Sequence, residues 1–273
     1  MSKDPEAWNA MHRAGYFAKH PYYQGHGTRV FPDAKKIAEY FSLKPEHRIA
    51  IIGSGYGREA AKLAPLVEAV YCLDVEAAMP ELETYLEGLR IFNYHPIAYK
   101  PGWGLQMPDV DFVYSFNVFQ HLSRAVAQDY LETFGWKLRP AGGMLIQFCR
   151  VRTGGERDVD PGRIYEPQVN WTLSDIYGAM KPNGLEAEIV TEEEVNQDGT
   201  PRTAPGLGNF IWYWAFIIRA SGPKPLRPCR GGIGAGQGER QAGQARTPDG
   251  GQKPVLGLPR AISGSVGGKG PRP

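Results

Sequence analysis

Three alternating glycines, Gly53-Ser54-Gly55-Tyr56-Gly57, join the apolar run "RIAII" to the helix-like stretch "REAAKLAPLV". Glycines at a strand-to-helix turn permit positive φ and let a ligand come close to the backbone. Seventeen residues after Gly57, Asp74 closes a second apolar run, "AVYCLD". A carboxylate at that spacing either accepts the two hydroxyl hydrogen bonds of a ribose or serves as an ordinary strand-end turn residue. A dinucleotide fingerprint requires its third glycine at the sixth loop position, where this chain has Arg58. That departure argues against a nicotinamide-dependent oxidoreductase.

The elements that must position these groups alternate between strand and helix. Apolar runs at "RIAIIG", "AVYCLDV", "FNYHPIAY", "VDFVYSFNVF", "PAGGMLIQFCRV", "LEAEIV" and "NFIWYWAFIIRA" predict seven strands. Between them, "REAAKLAPLV", "PELETYLEGLR", "SRAVAQDYLETFGWKL" (Ser123 as N-cap) and "TLSDIYGAMKPNG" predict helices. Such alternation implies an α/β fold, a doubly wound and mostly parallel sheet covered on both faces. Ligands of such sheets bind at the carboxyl ends of the strands. Two stretches fall outside the alternation: an aromatic and histidine-rich arm over residues 1–45, and the stretch "RVRTGGERDVDPGRIYEPQVNW" after the fifth strand.

Composition sets the outer bounds. The chain has 273 residues, 42% hydrophobic and 22% charged, as expected of a globular protein with one sizeable core. No apolar run approaches the ~18 residues that span a bilayer, and the first residues are too polar for a signal peptide. Cys72, Cys149 and Cys229 are isolated, which argues for a reducing, cytoplasmic setting and against a structural metal. From Ser221 onward there are nine basic and two acidic residues, a balance of +7. Residues 1–220 therefore carry 22 basic and 27 acidic side chains, a balance of −5 that disfavours a nucleic-acid partner. The same tail has 14 Gly, 8 Pro and no aromatic residue, a composition that predicts disorder. Three regions are expected: an arm or lid over 1–45, a binding and catalytic domain over 46–220, and a basic tail over 221–273.

Taken together, the glycine loop, the acidic end of the second strand, "DFVYSFNVFQHL" at the fourth and "LRPAGG" before the fifth resemble the class I S-adenosylmethionine-dependent methyltransferases. The resemblance covers about residues 45–220. It implies a Rossmann-like sheet of seven strands with the last strand antiparallel, and S-adenosylmethionine as cofactor. Gly53, Ser54, Gly55 and Gly57 would form the cofactor loop, Asp74 and Val75 its ribose end, and Ser115 and Asn117 the exit of the fourth strand. Trp103 either covers the adenine face or packs in the interior. Two departures are visible: Ile51 stands where the family commonly has an acidic residue, and "YKPGWGLQMP" lacks a carboxylate for the adenine amino group.

The resemblance also bears on the acceptor. The Asn/Asp-Pro-Pro-aromatic motif of amide and nucleobase methylation is absent at Ser115–Phe119, and "NVFQHL" is similar to the small-molecule branch. His121 there either contacts substrate or makes a structural hydrogen bond. His20 and His26, in the arm, are competing bases, and Tyr22, Tyr23 and His26 suit a covering loop over a sulfonium. Trp8 and Tyr16 fit a helix packed on the sheet. Arg150, Arg152 and Arg163 either favour an anionic acceptor or belong to a solvated loop. A small-molecule hydroxyl is the expected acceptor, with no nucleic acid or membrane partner. A catalytically silent binding protein of the same fold is the alternative.

Overall fold

The computed structural model describes residues 5–15, 34–151, 170–193 and 210–219. All of them fall in one compact unit, residues 1–228. Tyr16, His20, Tyr22, Tyr23, His26, Arg152, Arg163, Cys229 and the tail lie outside the described residues.

The sheet has seven strands: β1 (Arg48–Ile52), β2 (Ala69–Asp74), β3 (Tyr94–Ala98), β4 (Val110–Ser115), β5 (Leu138–Val151), β6 (Leu185–Glu193) and β7 (Phe210–Arg219). Their order is β3-β2-β1-β4-β5-β7-β6. β1 pairs in parallel with β2 and β4, β2 with β3, and β4 with β5, while β7 runs antiparallel to both β5 and β6. The strand order therefore reverses between β1 and β4, the switch point of an open α/β sheet.

Among the described residues six α-helices accompany the strands: α1 (Pro5–Arg13), α2 (Ala34–Phe41), α3 (Arg58–Leu63), α4 (Met79–Gly88), α5 (Arg124–Lys137) and α6 (Leu173–Met180). The central strands are apolar at consecutive positions because both faces are covered. Ile49 and Ile51 of β1 pack with Ile37, Phe41, Leu63, Leu82 and Leu86 from α2, α3 and α4. Ala50 and Ile52 point the other way, into a cluster with Tyr130, Leu131, Phe134, Ile176 and Met180 of α5 and α6. Ile51, at the position where the family commonly has an acid, is itself buried in this core.

Helix starts follow local chemistry. Ser123 caps α5 by accepting the Val126 N–H at 3.3 Å. Thr172 and Asp175 form a capping box on α6. The fifth strand begins earlier than the expected Gly entry. Its ladder with β4 already pairs Leu138 with Val110 and then shifts register. Ala141 takes φ 65° beside Gly142, where a Cβ would lie 2.4 Å from the Asp111 carbonyl. "PAGG" thus forms an irregularity within β5 rather than its beginning.

Trp103 shows how the interior is built. It is 2% exposed, packs against Tyr130 and Phe134, and donates from Nε1 to Asp129 Oδ2 at 2.8 Å. Trp103→Ala is expected to destabilise the fold by about 3–5 kcal/mol, the range for emptying a buried aromatic site. A fall in denaturant midpoint checks this. Among the described residues, no helix is long and apolar enough to cross a membrane, and no group of three His, Cys, Asp or Glu side chains is placed to hold a metal.

Candidate functional site

At the carboxyl end of β1 the loop turns through three left-handed glycines, with φ of 70° at Gly53, 55° at Gly55 and 95° at Gly57. The N–H groups of Gly53 and Ser54 both donate to the Leu73 carbonyl, tying the loop to β2. Two of the three glycines also have an internal reason for lacking a side chain. A Cβ at Gly53 would come within 2.1 Å of Val118 Cγ2, and one at Gly57 within 3.0 Å of Leu86 Cγ. The close approach inferred from the glycines is made in part by the protein itself.

Asp74 lies at the adjoining end of β2. Its Oδ2 accepts the Gly55 N–H at 2.8 Å and its Oδ1 accepts the Val75 N–H at 2.7 Å. Each oxygen keeps capacity for a second donor. Burial pushes this carboxyl above the usual carboxylate range, opposed by His12 and by the two backbone donors. The Ser54 hydroxyl, 3% exposed, has no hydrogen-bond partner among the described residues, nor has Gln120 Oε1. Buried polar atoms ordinarily have a partner, which water or a ligand can supply.

The exit of β4 completes the mouth. Ser115 Oγ donates to the Ile52 carbonyl at 3.2 Å, holding the ends of β4 and β1 together. Asn117 adopts φ 58°, its N–H donates to Gln147 Oε1 at 3.3 Å, and its Oδ1 accepts from Gln120 Nε2 at 3.1 Å. Val118 seats on Gly53, and the His121 N–H closes a turn onto the Val118 carbonyl at 2.8 Å. His121 is thereby held one tight turn from the glycine loop.

Solved structures share this fold. A TehB-like SAM-dependent methyltransferase from Corynebacterium glutamicum superposes over 77% of this chain and 99% of its own, with TM-score 0.52 and 17% identity. A putative sarcosine dimethylglycine methyltransferase from Galdieria sulphuraria superposes over 68% and 84%, with TM-score 0.52 and 16% identity. The fold is that of the class I methyltransferases. The [4+2]-cyclase SpnF has the fold too, over 69% of this chain and 80% of its own, with TM-score 0.52 and 12% identity. No protein-family model matches the chain, and no curated protein sequence does.

Within the methyltransferase fold, Gly53, Ser54, Gly55, Gly57, Asp74, Val75, Ser115, Asn117 and His121 gather at the ends of β1, β2 and β4. Trp103 is buried beneath α5, with its ring against Tyr130 and Phe134 and its Nε1 bonded to Asp129. Arg58 pairs with its neighbour Glu59 at 2.9 Å. The sequence reading missed the amides Gln120 and Gln147. The available signal was a buried-looking glutamine inside each of two apolar stretches, "NVFQHL" and "MLIQFC". It also missed what α1 does: Asn9 Oδ1 accepts the Ala77 N–H at 2.9 Å, and Trp8 meets His121 edge-on with ring centroids 5.6 Å apart.

Proposed function

We propose that the protein is an S-adenosylmethionine-dependent methyltransferase acting on a small-molecule hydroxyl. The observation that carries the cofactor is Asp74, a carboxylate oriented by the Gly55 and Val75 N–H groups with acceptor capacity left on both oxygens. The unpartnered Ser54 hydroxyl in the same loop supports the fit.

When bound, S-adenosylmethionine supplies a methyl group already activated on a sulfonium. The chain's own work is then to hold, orient and exclude water. Asp74 would accept the ribose hydroxyls, and the Gly53–Gly57 turn would offer backbone at close range. Trp8 and Tyr56, packed around Val75 and Ala78, close one side to solvent. His121 takes the proton of the acceptor hydroxyl at an imidazole nitrogen, the step a neutral alcohol needs before it attacks. Gln120 and Asn117 provide hydrogen bonds for orienting the acceptor.

The test is S-adenosylhomocysteine release from S-adenosylmethionine with three acceptor classes: hydroxylated small molecules, RNA and unfolded protein. Release that depends on a hydroxylated small molecule is the expected result. Release only with RNA or protein would overturn the acceptor class. No release with any of them, alongside intact cofactor binding, would favour a silent binding protein.

A further inference from the structure

Trp171, two residues before α6, stands behind the turn that carries His121. It is 1% exposed, and its indole Nε1–H donates to the Phe119 carbonyl at 3.0 Å across 52 positions of sequence. A buried indole N–H needs an acceptor, and here it takes one from irregular backbone at the exit of β4. Three further contacts hold the indole still. Its own backbone N–H donates to the Cys149 carbonyl of β5 at 2.9 Å. Its ring meets Phe148 edge-on with centroids 4.9 Å apart, and the Arg124 guanidinium carbon lies 3.7 Å from its centroid. Arg124, the first residue of α5, also donates to the Asn170 carbonyl and to Asp175, the latter at 3.0 Å.

A peptide unit is planar, so an oxygen fixed in space also fixes the direction in which the next Cα leaves. The Trp171 bond does this for the Phe119–Gln120 peptide. The His121 N–H, donating to the Val118 carbonyl at 2.8 Å, links the two peptides that flank it. At the start of the turn the Asn117 N–H is held by Gln147. Packing alone secures the Phe119 ring, which is fully buried against Phe148. It leaves the peptide plane beyond that ring to be set by hydrogen bonds, and the indole N–H supplies one of them.

We propose that Trp171 is a positioning residue for methyl transfer: by holding the Phe119 carbonyl, its indole N–H sets where the His121 side chain stands at the mouth. The role rests on His121 being the base proposed above. A displacement of about 1 Å in a reacting group can cost roughly 100-fold in rate, so a bond made behind the turn has leverage on the chemistry in front of it.

Trp171→Phe keeps a buried aromatic ring and deletes the N–H. Phe134→Leu, in the same core cluster, is the comparison for a general loss of stability. Amide hydrogen exchange followed by NMR reads the turn. In Trp171→Phe the His121 amide should lose about five- to tenfold in protection relative to the amides of β1 and β2, the worth of one net hydrogen bond. Phe134→Leu should show no such excess at His121. In the unmodified protein the Trp171 indole N–H and the His121 amide should be protected to a similar degree, because one opening releases both. Turnover with a hydroxylated small molecule that supports S-adenosylhomocysteine release should fall by about 10–100-fold in Trp171→Phe, at unchanged S-adenosylhomocysteine affinity. In the His121→Ala background, Trp171→Phe should slow turnover no further.

Full turnover in Trp171→Phe beside a slow His121→Ala would overturn the positioning role and leave the base reading standing. An equal further loss in the His121→Ala background would overturn it too, since Trp171 would then act through packing alone. So would an indole N–H that exchanges freely while the His121 amide stays protected, a result that decides the matter even if Trp171→Phe fails to fold. Undiminished transfer in His121→Ala would instead remove the base reading itself, and the proposal with it.

Discussion

His121→Ala is expected to slow methyl transfer to a hydroxyl acceptor by about 10²–10⁴-fold, the usual worth of a positioned base. S-adenosylhomocysteine affinity should be unchanged, because in the proposed site Asp74 and the glycine loop carry that binding. The pH–rate profile should lose one limb together with the imidazole. Stability should fall modestly as well, by about 0.5–1.5 kcal/mol, since the ring makes an edge contact with Trp8. A purely structural histidine would show that stability loss and spare turnover. His26→Ala, assayed alongside, decides whether the arm supplies the base instead. Transfer undiminished in both variants would mean that positioning alone suffices.

Asp74→Ala should weaken S-adenosylhomocysteine binding by about 10–100-fold, because a hydrogen bond to a charged group contributes roughly 1.5–3 kcal/mol. The change removes the proposed ribose acceptor and also strips the Gly55 and Val75 N–H groups of theirs. Calorimetry on protein verified as folded reads the effect. An affinity equal to that of the unmodified protein would show that the ligand does not touch the end of β2.

The sheet was readable from sequence because its central strands are buried on both faces, leaving apolar runs such as "IAII" in β1 and "FVY" in β4. Helix starts were readable where a cap is local, as at Ser123. The candidate site was legible only where its residues are also local. The glycine loop and Asp74 lie within one β-α-β unit, so their spacing carried the information. The meaning of Gly53 did not, since the atom that needs its missing side chain belongs to Val118, 65 residues away and brought there by β4 pairing with β1. The same holds for α1. Its bond from Ala77 to Asn9 spans 68 positions, and nothing in "PEAWNAMHR" states which strand end it will cover. Trp103 looked equally suited to an adenine face or to the core. A hydrogen-bond partner on α5, Asp129, accounts for its burial, and no local pattern revealed that partner.

The proposed ligand of the glycine loop and Asp74 is S-adenosylmethionine rather than a dinucleotide. Thermal unfolding with S-adenosylhomocysteine and, separately, with NAD tests it most directly. Ligand at 100 times its Kd stabilises the folded state by about 2.7 kcal/mol, which is readily seen as a rise in Tm. The predicted result is a rise with S-adenosylhomocysteine that Asp74→Ala abolishes, and none with NAD. A rise with NAD alone, or with neither ligand across accessible concentrations, would contradict the account.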